Sequence, residues 1–104
     1  MEVRVTDNSL GKFIISLEKP TIAKVLRTIN LLERFGEKLT LPQSKKISSG
    51  LFELRIHGKQ EIRIFYTFYK SQIFLLHGFK KKSQKIPKKE IRIAIQKLKG
   101  VDTI

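Results

Sequence analysis

The sequence predicts an α+β fold, in which a small antiparallel sheet of three to four strands carries an N-terminal helical hairpin on one face and is followed by a C-terminal helix. Three observations support this prediction. Apolar residues have helical spacing over 7–36, alternation rich in β-branched and aromatic residues takes over at 51–79, and helical spacing returns at 87–100. A chain of 104 residues has the length of one folding unit, so we expect a single domain spanning residues 1–104.

Two N-terminal segments have the apolar spacing of amphipathic helices. The first covers residues 7–20 and the second covers residues 20–36. Pro20 ends the first segment and suits the first turn of the second, and Gly36 suits a C-terminal cap. The apolar positions are Leu10, Phe13, Ile14 and Leu17 in the first segment and Ile22, Val25, Leu26, Ile29 and Leu32 in the second. We expect these two helices to form a hairpin.

The middle of the chain has the composition of strands joined by short turns. Residues 37–50 are polar and rich in turn formers, so we expect a loop there. The predicted strands that follow are LFELRI (51–56), EIRIFYTFY (61–69) and QIFLLHGF (72–79). Because the connections between them are only a few residues long, these strands form an antiparallel meander. The opening MEVRV, residues 1–5, predicts a short additional strand.

The last periodic segment is PKKEIRIAIQKLKG, residues 87–100. It begins with a proline and ends with a glycine, which are the usual start and stop signals of a helix. Its apolar stripe consists of Ile91, Ala94, Ile95 and Leu98. We therefore expect a closing helix.

Alternation along the strands separates an aliphatic face from a face that carries arginine. Ile62, Ile64 and Tyr66 share one face of the second strand, and Arg63 lies on the other. Arg55 has the equivalent place on the first strand. We expect the aliphatic face to pack against the helical hairpin, so that Arg55 and Arg63 emerge side by side from an open face. Charge reversal at Arg63 is therefore expected to leave the fold intact.

Positive charge dominates the composition and is concentrated in the second half of the chain. There are 22 lysines and arginines against nine aspartates and glutamates, for a net charge of +13 and a pI near 10.3. Residues 51–104 hold thirteen of the basic side chains and four of the acidic ones. Directly behind the third strand lie Lys80, Lys81, Lys82, Lys85, Lys88 and Lys89. This excess indicates a polyanionic partner: nucleic acid, an anionic membrane surface or an acidic protein.

Several kinds of site are disfavoured by what the sequence lacks. The absence of cysteine excludes disulfides, thiol catalysis and cysteine zinc sites, and two histidines are too few for a histidine-rich metal site. Carboxylates are scarce, which disfavours a two-metal nuclease, so we expect no metal and no cofactor. No apolar stretch approaches the roughly 20 residues of a membrane span, and no signal-peptide pattern is present. We therefore expect a cytoplasmic protein without a membrane partner.

The basic cluster fits a metal-free ribonuclease as well as a binding protein. Cleavage of RNA by its own 2′-hydroxyl needs a base, cations for the charge that develops on the phosphate, and a proton donor for the leaving 5′-oxygen. Arginine binds a phosphate through two parallel hydrogen bonds, and crowding by like charges favours the neutral, basic form of lysine. His77, near the end of the third strand, is a candidate proton donor. Charge alone favours binding over catalysis and leaves both open.

The string GLFELRIHGKQEIRIFYTFYKSQIFLLHGFKKKSQKIPKKEIRIAIQKL, residues 50–98, resembles the core of the RelE/HigB toxin superfamily, in its phage-derived branch. The similar features are Leu-aromatic-Glu-Leu-Arg, then RIFY, then a strand that ends in HGF with a lysine-rich tail, then proline and a helix. The upstream LEKPTIAKVLRTINLLERFGEKL resembles the helical hairpin of that family. The resemblance implies the toxin of a type II toxin–antitoxin system. Many members cleave mRNA in the ribosomal A site, and a related branch poisons DNA gyrase.

The resemblance also implies roles for individual residues. By motif position, Arg55 and Arg63 contact or stabilise the scissile phosphate, and Lys80 is the basic residue that follows the final strand. Together with His77, these are the candidate catalytic residues. The candidate RNA-binding residues are Lys81, Lys82, Lys85, Lys88 and Lys89. RelE itself has lysine near the positions held here by Glu53 and Arg55, so this chain departs from that pattern at the candidate base.

The sequence therefore predicts a RelE-like toxin domain that acts as a metal-independent endoribonuclease, an mRNA interferase that cleaves ribosome-bound mRNA and inhibits translation. The expected partners are the ribosome, mRNA and a cognate antitoxin that is acidic at the contact surface. Two alternatives remain. A gyrase-directed toxin of the same fold leaves mRNA intact, and a catalytically inactive RNA-binding module binds with steep salt dependence but does not cleave.

Overall fold

The computed structural model describes residues 1–101, which form a five-stranded mixed sheet and three α-helices. The elements are β1 (Glu2–Val5), α1 (Ser9–Ile15), α2 (Lys19–Phe35), β2 (Ser44–Ser48), β3 (Leu51–Ile56), β4 (Ile62–Tyr69), β5 (Gln72–Lys80) and α3 (Lys88–Gly100). The strand order is β1-β5-β4-β3-β2; β1 runs parallel to β5, and the other neighbours are antiparallel. The α+β class and the β3–β4–β5 meander are confirmed. The expected sheet of three to four antiparallel strands is too small.

The two edge strands account for this difference. β1 confirms the additional strand expected from residues 1–5, and its parallel pairing with β5 makes the sheet mixed. β2 lies within residues 37–50, so the loop expected there is wrong for Ser44–Ser48. Lys45 and Lys46 of β2 are exposed. Charged side chains protect an edge strand from pairing with other chains, and they also give it the composition of a loop.

The two N-terminal helices pack on the same face of the sheet, but they match the expected hairpin only in part, because α1 is shorter than expected. It has seven residues and ends at Ile15, where the Ser16 hydroxyl donates a hydrogen bond to the carbonyl of Phe13 at 2.6 Å. α1 packs over Gly78 of β5, where a Cβ atom would lie 2.8 Å from Leu10 Cδ1. The glycine of the HGF motif therefore lets a helix approach the sheet closely. Within residues 1–101, no helix is both long and apolar enough to cross a membrane.

The aliphatic face of the sheet packs against α1 and α2, as expected, and forms the first of two cores. Leu54 and Ile64 on this face are fully buried, together with Leu32 of α2. Tyr66 is buried on the same face, and its hydroxyl shares a short hydrogen bond with that of Ser44 in β2. Burial raises the pKa of Tyr66, although the hydrogen bond to Ser44 acts in the opposite direction. This core fixes the register of β2, β3 and β4.

Helix α3 covers the other face of the sheet, where alternation alone predicts an open surface. Ala94 of α3 is fully buried in a second core with Phe65 and Phe79, whose rings stack with centroids 5.7 Å apart. Burial of one phenylalanine is worth roughly 1.5–3 kcal/mol, so these two rings strongly favour a covering helix. The expectation that Arg63 faces solvent is wrong, since it is 2% exposed. Reversing its charge therefore disturbs the fold as well as the site.

A polar link joins α3 to the start of α1. The carboxylate of Asp7 accepts hydrogen bonds from the hydroxyl of Ser9 at 2.5 Å and from its amide at 2.9 Å. Lys97 Nζ of α3 lies 3.1 Å from Asp7 Oδ2. The hydrogen bonds from Ser9, and then the hydrogen bond and charge of Lys97, lower the pKa of Asp7 to about 2. The ionised carboxylate thus connects two segments that are distant in the sequence.

Replacing Asp7 by asparagine removes this charge and one source of pH dependence. Because the folded state lowers the pKa of Asp7, its stabilising effect is present above about pH 4 and is lost as the pH falls toward 2. We expect the free energy of unfolding of the wild type to exceed that of Asp7→Asn by roughly 0.5–1 kcal/mol at neutral pH, and the two to converge near pH 2. Urea unfolding at both pH values measures the difference. A difference that persists at pH 2 contradicts this assignment.

Candidate functional site

Arg55 and Arg63 lie directly opposite each other on β3 and β4 and share one buried carboxylate. Glu53 Oε1 lies 3.6 Å from Arg55 Nε, and Glu53 Oε2 lies 3.8 Å from Arg63 Nε. The side chains of Glu53 and Arg63 are 4% and 3% exposed, whereas that of Arg55 is 26% exposed. We call these three residues the Glu53 cluster. The prediction that the two arginines share a face and adjoin each other is therefore confirmed.

The Glu53 cluster is held by charge more than by hydrogen bonds. Among the described residues, neither Oε2 of Glu53 nor the Nε atoms of Arg55 and Arg63 has a hydrogen-bond partner, and all three atoms are buried. Buried ionised groups are costly unless they are paired, and removal of one partner leaves the other uncompensated. The proximity of the two guanidinium groups therefore depends on the carboxylate of Glu53.

The guanidinium end of Arg63 borders an open pocket of about 380 Å³. Its Nη1 donates a hydrogen bond to the carbonyl of Ile62 at 3.0 Å, and both Nη1 and Nη2 lie 3.4 Å from Glu61 Oε1. The amide of Lys81 donates to the carbonyl of Glu61 at 2.8 Å, which holds the loop after β5 beside the start of β4. The residues that line the pocket are Glu61, Arg63, Lys81, Lys82, Ser83 and Gln84. We call it the Arg63 pocket; three cations give it the chemistry of a phosphate site.

Glu61 connects the Arg63 pocket to His57, and neither residue is among the candidates predicted from the sequence. Glu61 Oε1 lies 2.9 Å from His57 Nδ1, and its Oε2 accepts a hydrogen bond from the amide of Gly58 at 3.0 Å. Burial raises the pKa of Glu61, but the hydrogen bonds from Gly58 and His57 and the charges of His57 and Arg63 outweigh it, so the pKa lies below its usual value. An ionised Glu61 therefore faces both His57 and Arg63. The available sequence signal is the turn HGKQE, whose ends meet when β3 pairs with β4.

A second pocket, of about 270 Å³, adjoins Arg55 and His57. Lys24 Nζ of α2 donates a hydrogen bond to the carbonyl of His57 at 3.4 Å across its edge. The lining residues are Lys24, Arg27, Thr28, Leu31, Pro42, Gln43, Arg55, Ile56 and His57. We call it the Arg55 pocket. Arg55 and Arg63 are cross-strand neighbours, and each of them lines one of the two basic pockets.

The lysines predicted to act at the phosphate or to bind RNA do not all lie in one place. Lys81 and Lys82 line the Arg63 pocket. Lys80 pairs with Ile62 in the register of β5 with β4, so it alternates to the opposite face and does not line this pocket. The other three are exposed: Lys85 in the loop before α3, and Lys88 and Lys89 in the first turn of that helix. The structure therefore brings two of the six lysines next to Arg63.

His77 lies on the same face as Arg63 but makes its main contact elsewhere. Phe79 is opposite Arg63 in the register of β4 with β5, and His77 is opposite Phe65, farther along the strand. Nε2 of His77 lies 2.8 Å from Glu90 Oε1 in the first turn of α3. The two side chains are 17% and 19% exposed. The contact joins α3 to β5, and a role of His77 in proton transfer stays a prediction.

Within residues 1–101, no group of three or more histidine, aspartate and glutamate side chains is placed to hold a metal ion.

Neutralising Glu53 tests whether the Glu53 cluster depends on its carboxylate. Glu53→Gln keeps the shape but leaves two largely buried cations side by side, so we expect the free energy of unfolding to fall by roughly 3 kcal/mol. Glu2→Gln is the matched control, because it breaks the Arg4–Glu2 pair, whose side chains are 52% and 63% exposed. We expect the control to cost less than about 0.5 kcal/mol. Equal stability of the two variants in urea contradicts this account of the cluster.

Comparison with known proteins identifies a family for the chain. No curated protein sequence gives a significant match. The family model described as "Phage derived protein Gp49-like (DUF891)" matches residues 12–99, which include β3, β4, β5 and nearly all of α3. This span contains the Glu53 cluster, the His57–Glu61 contact and the lysines after β5. The family is toxin-like and belongs broadly to the RelE/HigB-like toxins. The chain is therefore a member of the Gp49-like family of phage-derived proteins.

Proposed function

We propose that this protein is the toxin of a toxin–antitoxin pair and that it cleaves mRNA on the ribosome without a metal ion. The observation that carries the proposal is the Arg63 pocket, in which Arg63, Lys81 and Lys82 surround one open space beside Arg55. Membership of a toxin-like family supports the toxin assignment. The net charge of +13 supports a polyanionic substrate.

In the proposed reaction, the scissile phosphate occupies the Arg63 pocket. The contacts of Arg63 Nη1 and Nη2 to Glu61 are long, at 3.4 Å, so a phosphate that accepts charge-assisted hydrogen bonds of about 2.7–2.9 Å competes for the same donors. Lys81 and Lys82 stabilise the charge that grows on the phosphate while the adjacent 2′-oxygen attacks it. Arg55 adds positive potential from the neighbouring strand.

The remaining lysines of the cluster bind ribosomal RNA in this proposal. Lys88 and Lys89 lie in the first turn of α3, where cations oppose the helix dipole. Their position therefore disfavours the helix slightly but concentrates positive charge at the N-terminus of α3. Lys85 is exposed in the preceding loop, and Lys80 is exposed at the end of β5. Because phosphate contacts release counterions, we expect binding to weaken steeply with salt.

The toxin family implies an antitoxin, and we propose that it is acidic where it contacts this surface. A carboxylate in the Arg63 pocket can make the contacts proposed for the phosphate. The guanidinium of Arg63 already donates a hydrogen bond to a carboxylate oxygen of Glu61 at 3.4 Å. Occupation of the pocket by the antitoxin would therefore exclude RNA directly.

Induced expression in bacteria, with primer extension on a translated message, tests the proposed activity. We expect growth arrest together with new 5′ ends in the message, and we expect these ends to disappear when translation is blocked. Growth arrest with intact messages contradicts the proposal and indicates another target, such as gyrase. The absence of arrest also contradicts it and indicates an RNA-binding module without catalytic activity.

Paired lysine substitutions separate the Arg63 pocket from the effect of total charge. Lys81→Gln with Lys82→Gln removes two cations from the pocket, and Lys45→Gln with Lys46→Gln removes two exposed cations from β2. Both variants have the same net charge. We expect message cleavage to fall roughly 10- to 100-fold for the pocket variant and less than about twofold for the control. Equal losses in primer extension contradict the assignment of the pocket.

A further inference from the structure

We propose that His57, positioned by Glu61, is the base that takes the proton from the attacking 2′-hydroxyl; this inference rests on the proposed ribonuclease activity. The two residues occupy the ends of the turn between β3 and β4, next to both basic pockets. His57 also supplies an imidazole, which is the side chain that most often acts as a general base.

The carboxylate of Glu61 fixes the orientation of the imidazole of His57. One oxygen lies 2.9 Å from Nδ1, and the other is held by the Gly58 amide at 3.0 Å. An ionised carboxylate only accepts hydrogen bonds, so Nδ1 carries the proton and the lone pair of the neutral ring is on Nε2. The side chain of His57 is 51% exposed, and its Nε2 has no hydrogen-bond partner among the described residues. This nitrogen is therefore available to a substrate.

Glu61 also places His57 beside the proposed phosphate position. Its Oε1 lies 2.9 Å from His57 Nδ1 and 3.4 Å from both Nη atoms of Arg63. The base and the phosphate-binding guanidinium therefore contact the same oxygen atom. His57 lines the Arg55 pocket, whereas Glu61 lines the Arg63 pocket. A phosphate in the Arg63 pocket, with its 5′-flanking ribose toward the Arg55 pocket, has its 2′-hydroxyl on the side of His57.

The charges around His57 are suited to a base. Arg55 of β3, Arg63 of β4, and Lys24 and Arg27 of α2 provide the nearby cations. These cations stabilise the negative charge that develops as the 2′-hydroxyl loses its proton. Glu61 is the acidic group in contact with the ring, and it stabilises the imidazolium once that has formed. The arrangement thus stabilises both charges that the proton transfer creates.

The proposed step needs no reactant other than the RNA and the side chains of the site. The bond between the 2′-oxygen and phosphorus forms while the bond between phosphorus and the 5′-oxygen breaks. His57 Nε2 takes the proton of the 2′-hydroxyl, and the leaving 5′-oxygen takes a proton from the ammonium group of Lys81 or Lys82, both of which line the Arg63 pocket. The products are a 2′,3′-cyclic phosphate and a 5′-hydroxyl.

The chain contains one other histidine, His77, and the two can be compared with matched substitutions. His57→Asn retains a donor near the position of Nδ1 for Glu61 and removes Nε2. His77→Gln retains a donor near the position of Nε2 for Glu90 and removes the imidazole. Each variant thus preserves the contact seen in the structure. We expect His57→Asn to slow single-turnover cleavage of ribosome-bound mRNA roughly 10²- to 10⁴-fold with unchanged ribosome binding. We expect His77→Gln to retain the rising limb of the pH–rate profile, which reports the base.

Two further variants distinguish a catalytic role of His57 from a loss of activity caused by misfolding. In His57→Ala, added imidazole is expected to restore cleavage, because it can occupy the space left by the half-exposed ring. In Glu61→Gln, the loss of the carboxylate charge disfavours the imidazolium, so the rising limb of the pH–rate profile is expected to shift to lower pH. A uniform loss of rate without such a shift overturns the positioning role of Glu61.

The outcomes separate this inference from the proposed function. If the wild-type protein cleaves no ribosome-bound message, the ribonuclease proposal fails and the assignment of His57 fails with it. If the wild type cleaves and His57→Asn cleaves at the same rate, or imidazole does not rescue His57→Ala, the assignment of His57 is wrong and the ribonuclease proposal stands. Loss of the rising limb in His77→Gln and its retention in His57→Asn would assign the base to His77 instead.

Discussion

The arrangement of the site depends on the buried carboxylate of Glu53, which keeps two arginines of like charge side by side. Its two oxygens lie 3.6 Å and 3.8 Å from the Nε atoms of Arg55 and Arg63, on the face of the sheet against which α3 packs. Two guanidinium groups at cross-strand spacing repel each other strongly where water is largely excluded. With Glu53 between them, each arginine borders its own pocket, so the spacing of the two basic pockets follows from the pairing of β3 with β4.

Helices cover both faces of the sheet, so the accessible part of the candidate site is at the end of the strands. The first core closes one face with α1 and α2, and the second core closes the other with α3. At the end where β3 turns into β4 and β5 leads into the lysine loop, His57, Glu61 and Lys81 remain accessible to different extents. The hydrogen bond from the Lys81 amide to the Glu61 carbonyl holds these two segments together. In the proposed function, a polyanion binds at this end of the sheet, where backbone pairing between strands positions the functional groups.

Much of this architecture could be predicted from the sequence, because alternation and register are local. Alternation alone placed Arg55 and Arg63 on one face, and the short turns made them neighbours. The packing of α3 against that face could not be predicted, because the apolar stripe of a helix does not specify which face of the sheet the helix covers. The sequence does contain one indication of this cover: Phe65, a large apolar residue, lies on the face that alternation predicts to be open. β2 was missed because its lysines give an edge strand the composition of a loop, and the contact of His57 with Glu61 depends on the path of the turn between them.

A structure of the protein on a ribosome carrying mRNA with a 2′-O-methyl group at the cleavage position tests the central claim most directly. The methyl group blocks the nucleophile, so the message stays intact in the site. The account predicts that the scissile phosphate lies within hydrogen-bonding distance of Arg63 and of Lys81 or Lys82, with the modified 2′-oxygen facing His57. A message that passes over another surface, such as the exposed lysines of β2, while the Arg63 pocket stays empty, would contradict it.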